Sequence, residues 1–238
     1  MFNTIEALDH AKHQDLRLAK IPSFKFAENV SSVKLSFSEL RMASRFYPIV
    51  FLGDDSCLPQ AILSLETGKN ACLDASGNWK IPYVPLYFRL YPFTLAKIED
   101  QEDRFALCLD PEADHFKPGM GDPLFTADGQ PTEFIEKKVL ETAKRYQQEL
   151  DATQSRFNTL NEKGLIADKS FNYTVNQEEK KVGGFKGVDM EKLVTLDDKE
   201  LADMVKDGTM GMIYEHNASL TNFNMFINPA PAQTPPVI

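Results

Sequence analysis

The chain has 238 residues, 42% hydrophobic and 26% charged, with 26 basic against 35 acidic side chains and a formal charge of −9 at pH 7. A chain of this length buries roughly 70 to 75% of its accessible surface on folding, so its core needs neither disulfide nor metal. The negative charge repels phosphate backbones and anionic headgroups, which argues against a nucleic-acid or membrane-surface role.

The first thirty residues read as an irregular lead lying across the rest. Their opening, "MFNTIEALDHAKHQDLRLAK", is charged throughout and has no apolar h-region, so a cytoplasmic chain without a secretory signal is expected. Export by a route that needs no N-terminal signal stays open. No window reaches eighteen uninterrupted apolar residues, so no membrane insertion is expected. At "SVKLSFSELRMASRFY" a short strand at Val33 and Leu35 runs into Ser36-x-x-Glu39, the capping-box spacing. The short helix that follows offers Leu40, Met42, Ala43 and Phe46 to one face, and Tyr47-Pro48 ends it.

Next, "PIVFL", "QAILSLE", "ACLD" and "WKI" alternate with the turn-rich "GDDS", "TGKN" and "ASGN". Spacings this short predict antiparallel hairpins. The segment "IPYVPLYFRLYPF", Ile81 to Phe93, holds three prolines, five aromatics and a single charge, Arg89. Prolines fix φ and remove N–H donors, so an edge strand or an extended crossing segment is predicted there. "FTLAKIE" and "RFALCLD" flank "DQED" as a further hairpin, and Asp128-Gly129 marks a turn. Val33 to Phe125 thus reads as mostly β.

Pro131 suits the opening of a helix. Ile135, Val139, Ala143, Tyr146, Leu150, Thr153, Phe157 and Leu160 then step by four and three along one face, closed by Gly164. "SFNYTV" and "VGGFKGV" read as antiparallel strands about the turn "NQEEKK". "TLDDKELADMVKDG" is a marked helix: Asp197-x-x-Glu200 starts it, Leu201, Met204 and Val205 share a face, and Gly208 ends it. Ile213, His216, Leu220, Phe223 and Phe226 recur at helical spacing. The expected architecture is one α+β domain over residues 1–228. Its antiparallel meander sheet lies in the N-terminal half and packs against the long helix and the C-terminal helices. A Pro-rich, disordered tail over 229–238 follows.

No cofactor loop stands out. "GGFKG" is neither a dinucleotide fingerprint nor a P-loop and reads as a strand with a bulge or turn, and "PGMGD" reads as a loop. There is no G-x-S-x-G. Cys57, Cys72 and Cys108 are odd in number, form no C-x-x-C pair, and each adjoins a leucine, as reduced buried thiols do. The acid pairs Asp54-Asp55 and Asp197-Asp198 belong to a turn and a helix start. His13-Gln14-Asp15 matches the H-x-D half of a facial triad, and His115 or His216 would complete it around non-haem iron. Against that, three-residue patterns arise by chance, this one lies in the irregular lead, and His216 on an apolar helical face suits a half-buried histidine.

The aromatic segment has two readings. Trp79, Tyr83, Tyr87, Arg89 and Tyr91 would make a ligand-binding groove for a peptide, a glycan or a cation, with Arg17 and His13 at its rim. Alternatively the rings cover core while the tyrosine hydroxyls and Arg89 reach polar partners at its edge. The second account is favoured, with a groove at the segment's edge.

"HQDLR", "FYPIVF", "LETGKNACLDASGNW" with "YVPLYFRLYPF", "GLI", and "FKGVDMEKLVTLDDKELADMVKDG" before "IYEHNASLTNF" follow one another in an order that resembles the SapC family of bacterial proteins. The resemblance runs from His13 to about Phe223 and is most specific between Tyr47 and Phe93. Its matching positions include His13, Arg17, Tyr47, Gly77, Trp79, Tyr83, Arg89, Pro92 and His216. Asp15 lies outside the pattern, and Asn217 stands where the pattern often has a bulky apolar residue. The resemblance implies a role near surface-layer formation and secretion components, and it carries over no catalytic residues. The expected function is a non-catalytic accessory or binding protein that needs no cofactor and handles a protein or peptide partner. Two alternatives remain: an iron-dependent oxidative enzyme using His13, Asp15 and a distal histidine, and a structural subunit of a homo-oligomer.

Overall fold

A computed structural model describes residues 1–21, 23–53, 58–98, 101–116, 119–175 and 178–227. The lead holds β1 (Glu6–Ala7), α1 (His10–His13) and β2 (Arg17–Leu18), and β3 (Ser32–Lys34) precedes α2 (Leu40–Ala43). Then come β4 (Ile49–Phe51), β5 (Pro59–Ile62), α3 (Leu86–Leu90), β6 (Phe93–Ile98), β7 (Gln101–Leu109) and β8 (Asp122–Pro123). The long helix is α4 (Glu141–Glu162), reached through wider, π-type turns at Phe134–Leu140. After it follow β9 (Ile166–Val175), β10 (Glu178–Val188), α5 (Met190–Leu193), α6 (Asp198–Lys206), α7 (Thr209–Ser219) and α8 (Asn224–Ile227).

The chain is α+β with antiparallel sheets, as expected. The strands form a five-stranded sheet in the order β3-β5-β4-β10-β9, a three-stranded sheet β1-β7-β6, and the pair β2-β8. The predicted meander is therefore divided. The β4–β5 hairpin sets Ile49 opposite Ala61, and β4's other edge is taken by the C-terminal hairpin, with Lys186 opposite Phe51. Ile49, Val50 and Phe51 are all buried, so β4 is covered on both faces and sits inside the sheet. The lead is tied down by β1, whose Glu6 faces Leu109 of β7.

The predicted face of the long helix is buried at every position except Leu150, which is half-buried. Large apolar side chains on such a face contribute about 1.5–3 kcal/mol each. The face serves two cores. Phe157 and Leu160 pack with Phe51, Leu63, Phe88 and Ile213, whereas Ile135 and Val139 pack with Tyr91, Phe93, Leu109 and Phe125. Gly164, at φ +64°, ends the helix, and Leu165 N–H bonds back to Leu160 O at 2.9 Å. The capping boxes at Ser36–Glu39 and Asp197–Glu200 are both present, and the strand carrying "GGFKG" breaks register between Val182 and Phe185.

Three local readings are corrected. "ACLD" and "WKI" form no strand and meet only at the Leu73–Trp79 bridge, because Asp74 takes the Ser76 and Asn78 N–H groups into a tight turn. The Ile81–Phe93 segment is not extended throughout, since α3 occupies its middle. Met42 and Val205 point outward, Val205 at 64% exposure. The predicted features at 54–57 (with Cys57), 99–100 and 176–177 and the tail after Ile227 lie outside the described residues. Among the described residues, no helix is long and apolar enough to cross a membrane.

Candidate functional site: an aromatic groove with a cationic rim

The buried carboxylate of Glu39 fixes the aromatic segment. Its Oε2 accepts from Ser36 N–H and Oγ–H at 3.0 and 2.9 Å, while Oε1 accepts from the Tyr83 hydroxyl at 2.8 Å and Leu86 N–H at 2.6 Å. Pro85 immediately precedes α3, a place where a missing N–H costs nothing, and Glu39 takes one of the free donors of the first turn. A second network lies beside it. Trp79 Nε1–H donates to the Tyr47 hydroxyl at 2.8 Å, and that hydroxyl donates to the Tyr83 carbonyl. Burial pushes the Tyr47 phenol far above its usual range; burial and the Glu39 carboxylate do the same to Tyr83. Both therefore remain donors. Trp79 and Tyr83 are framework.

Beyond α3 the surface opens into a groove of about 740 Å³. One wall is the lead at residues 18–21, 23–24 and Phe26, the second is Leu86 to Phe93, and the third is the start of the long helix at Phe134, Lys138, Val139 and Thr142. Phe24, Phe26 and Phe134 supply aromatic surface, with the buried Phe88 also lining it; among the described lining residues Lys20, Arg89 and Lys138 are cations and Asp122 a carboxylate. Arg89 is exposed, with its guanidinium 5.7 Å from the Tyr83 ring centre. Tyr91 forms part of the floor, stacked on Phe26 at 4.2 Å, with the His115 ring 5.2 Å away. Its hydroxyl lies 3.4 Å from Asp110 Oδ2; burial and that carboxylate raise its pKa to about 12. Asp110 is fully buried and is taken by Asn3 and Glu112 N–H, so its charge is kept from the groove. Burial pushes His115 below the usual imidazole range, and its Nδ1 has no hydrogen-bond partner among the described residues.

The other candidates lie elsewhere. Tyr87, two positions before Arg89 on α3, faces a separate, largely apolar cavity of about 420 Å³ between β3, β6 and α4. Arg17 is exposed on β2 and does not line the groove. Of the six residues proposed for ligand binding, the structure places Arg89 and Tyr91 together in the groove. Phe24, Phe26, Phe134, Lys20 and Lys138 also line the groove but come from distant segments that sequence spacing does not bring together. The available signal was Phe134, an apolar residue one step off the buried stripe.

The iron triad does not assemble. Asp15 is exposed, while buried His13 accepts Asp9 N–H at Nδ1 and faces Glu6 Oε2 with Nε2 at 3.6 Å. His216 is occupied at both nitrogens, Nδ1 against Ile49 O at 2.8 Å and Nε2 accepting Val188 N–H at 3.2 Å. Among the described residues, no group of three or more His, Cys, Asp or Glu side chains is placed to hold a metal ion.

A family model described as SapC matches residues 8–226. The chain belongs to the SapC family. No curated protein and no solved structure matches it. The positions that carry the SapC resemblance are largely framework. Tyr47, Trp79 and Tyr83 share one hydrogen-bond network, and His216 joins α7 to β4 and β10. Gly77, at φ +81°, leaves no room for a side chain, since a Cβ there would meet Ser23 Oγ at 2.2 Å. Arg89 and Pro92 are the members of that set that line the groove.

Proposed function

We propose that this SapC-family chain is a non-catalytic binding protein that holds a protein or peptide partner in the Arg89–Tyr91 groove, as an accessory to surface-layer or export machinery. The observation that carries this reading is the groove: a long concavity of aromatic surface with cations at its edge, built on α3 and the start of the long helix. The chemistry around it supports binding over turnover. His115 Nδ1 makes no hydrogen bond among the described residues, and both described thiols are buried, with desolvation pushing Cys72 up to about 12. The link to surface-layer or export machinery rests on the family resemblance.

A photo-crosslinking amino acid tests the reading when placed at Phe134 (50% exposed, in the groove) and, as control, at Tyr214 (58% exposed, on α7). In the native cell, the Phe134 position is expected to give a discrete protein adduct and the Tyr214 position none. No adduct at Phe134, or the same adducts at both positions, overturns it.

A further inference from the structure

The long helix continues past the groove as a cationic shelf. Lys137, Lys138, Lys144 and Arg145 border a shallow depression of about 520 Å³ on its outer side, and Lys138 and Thr142 also line the groove. Lys137 and Lys144 are paired with Glu133 and Glu141 at 2.8 and 3.6 Å. Glu149 is turned to Ser38, whose N–H it accepts at 3.2 Å. Glu133, Glu149 and the lining carboxylate Glu141 are thereby engaged, and Lys138 and Arg145 face solvent in line with Phe134 and Thr142 at helical spacing. From Phe134 to Gln148 the helix runs about 20 Å, the reach of roughly six residues of extended peptide.

Resting on the binding reading above, we infer that the groove takes an extended acidic segment of another protein. An apolar or aromatic side chain of that segment sits beside Phe24 and Phe134, and its carboxylates meet Arg89, Lys138 and Arg145. Charge complementarity carries the assignment: a chain of formal charge −9 concentrates cations along one strip that borders aromatic surface. A narrow strip suits a single strand of acidic peptide. A bilayer or a nucleic acid would also present its charge to the acidic remainder of the surface.

Fluorescence anisotropy on the full chain tests this with a labelled eight-residue probe alternating Glu with Leu and Phe, beside versions carrying Gln or Lys in place of Glu. The Glu probe is expected to bind at least ten-fold more tightly than the Gln probe, to weaken as salt rises, and to lose at least ten-fold in affinity to a Lys138→Glu, Arg145→Glu double variant. A Lys199→Glu control on α6 is expected to change it less than two-fold. Circular dichroism of these exposed-site variants checks that they fold. No binding of the Glu probe, equal binding of the Lys probe, or equal loss in the control overturns the inference, as does tighter binding of phosphatidylserine vesicles or an oligonucleotide. If the Phe134 crosslink forms while the Glu probe fails, the binding reading stands and the acidic occupant falls; if no crosslink forms, the binding reading itself falls.

Discussion

The Tyr83 hydroxyl donates to Glu39 Oε1 at 2.8 Å across forty-four residues of sequence, and this contact decides where the aromatic segment runs. Glu39 is 4% exposed and accepts four hydrogen bonds, from Ser36 (twice), Tyr83 and Leu86. Truncating it takes the charged acceptor from the Tyr83 hydroxyl and Leu86 N–H at a half-buried site, where each hydrogen bond to a charged group contributes about 1.5–3 kcal/mol. Glu39→Ala is therefore expected to lower stability by about 3 kcal/mol in urea denaturation, and Tyr83→Phe by about 1 kcal/mol. A loss under about 1 kcal/mol for Glu39→Ala would show that water replaces the carboxylate, and that the segment is held by its rings alone.

Gly187 on β10 lies against the His216 ring. A Cβ there would sit 2.9 Å from His216 Nε2 and 2.9 Å from Lys169 Cγ, whereas at Gly183 the nearest atom, Ser170 Cβ, is 3.9 Å away. Overpacking of this kind costs about 1–3 kcal/mol. Gly187→Ala is expected to lose about 1–3 kcal/mol of stability in urea denaturation, and Gly183→Ala to stay within about 0.5 kcal/mol of the parent. Equal behaviour of the two would mean that β10 shifts freely relative to α7.

Much of this frame was legible because local chemistry and tertiary packing agree. The long helix announced itself through eight positions stepping by four and three along one face, and α6 through Asp197 and Glu200. The aromatic segment was harder. Pro82 and Pro85 exclude a ladder strand, but Pro85 equally suits a helix start, and the partner that settles the choice is Glu39, forty-seven residues before Leu86. The Ser36-x-x-Glu39 spacing marks Glu39 as the capping-box acid; that its second oxygen anchors a remote helix has no local signal. The groove was the least legible part, since Lys20, Arg89 and Lys138 converge only through the lead's crossing and the placement of the long helix.

His216 makes stability pH-dependent. It is 2% exposed; burial, helped by nearby Lys169, lowers its pKa from 6.5 to about 4. Protonation would also cost Nε2 its role as acceptor for Val188 N–H. Because the folded pKa lies below the unfolded one, the neutral form's stability is fully present above pH 6.5 and is lost as pH falls toward 4. The total is about 3 kcal/mol, with about 2 kcal/mol lost between pH 7 and pH 5. Urea denaturation of the parent and His216→Gln at both pH values isolates the effect. The parent is expected to lose about 2 kcal/mol more than the variant, and matching slopes would mean that the imidazole already titrates normally in the fold.

Phe134 separates binding from folding. Its ring is 50% exposed, at a groove wall it shares with Lys138, so removing it takes little buried surface from the core. Phe134→Ser is expected to change stability by no more than about 0.5 kcal/mol. With the photo-crosslinker moved to Thr142, on the same wall, the serine variant should give less than half the parent's adduct, because an aromatic anchor carries more of a groove's affinity than its polar rim. Full adduct from a folded Phe134→Ser chain would leave the cations alone as the recognition surface. A fall in stability well beyond 0.5 kcal/mol would instead reassign the ring to the core shared by Ile135 and Val139.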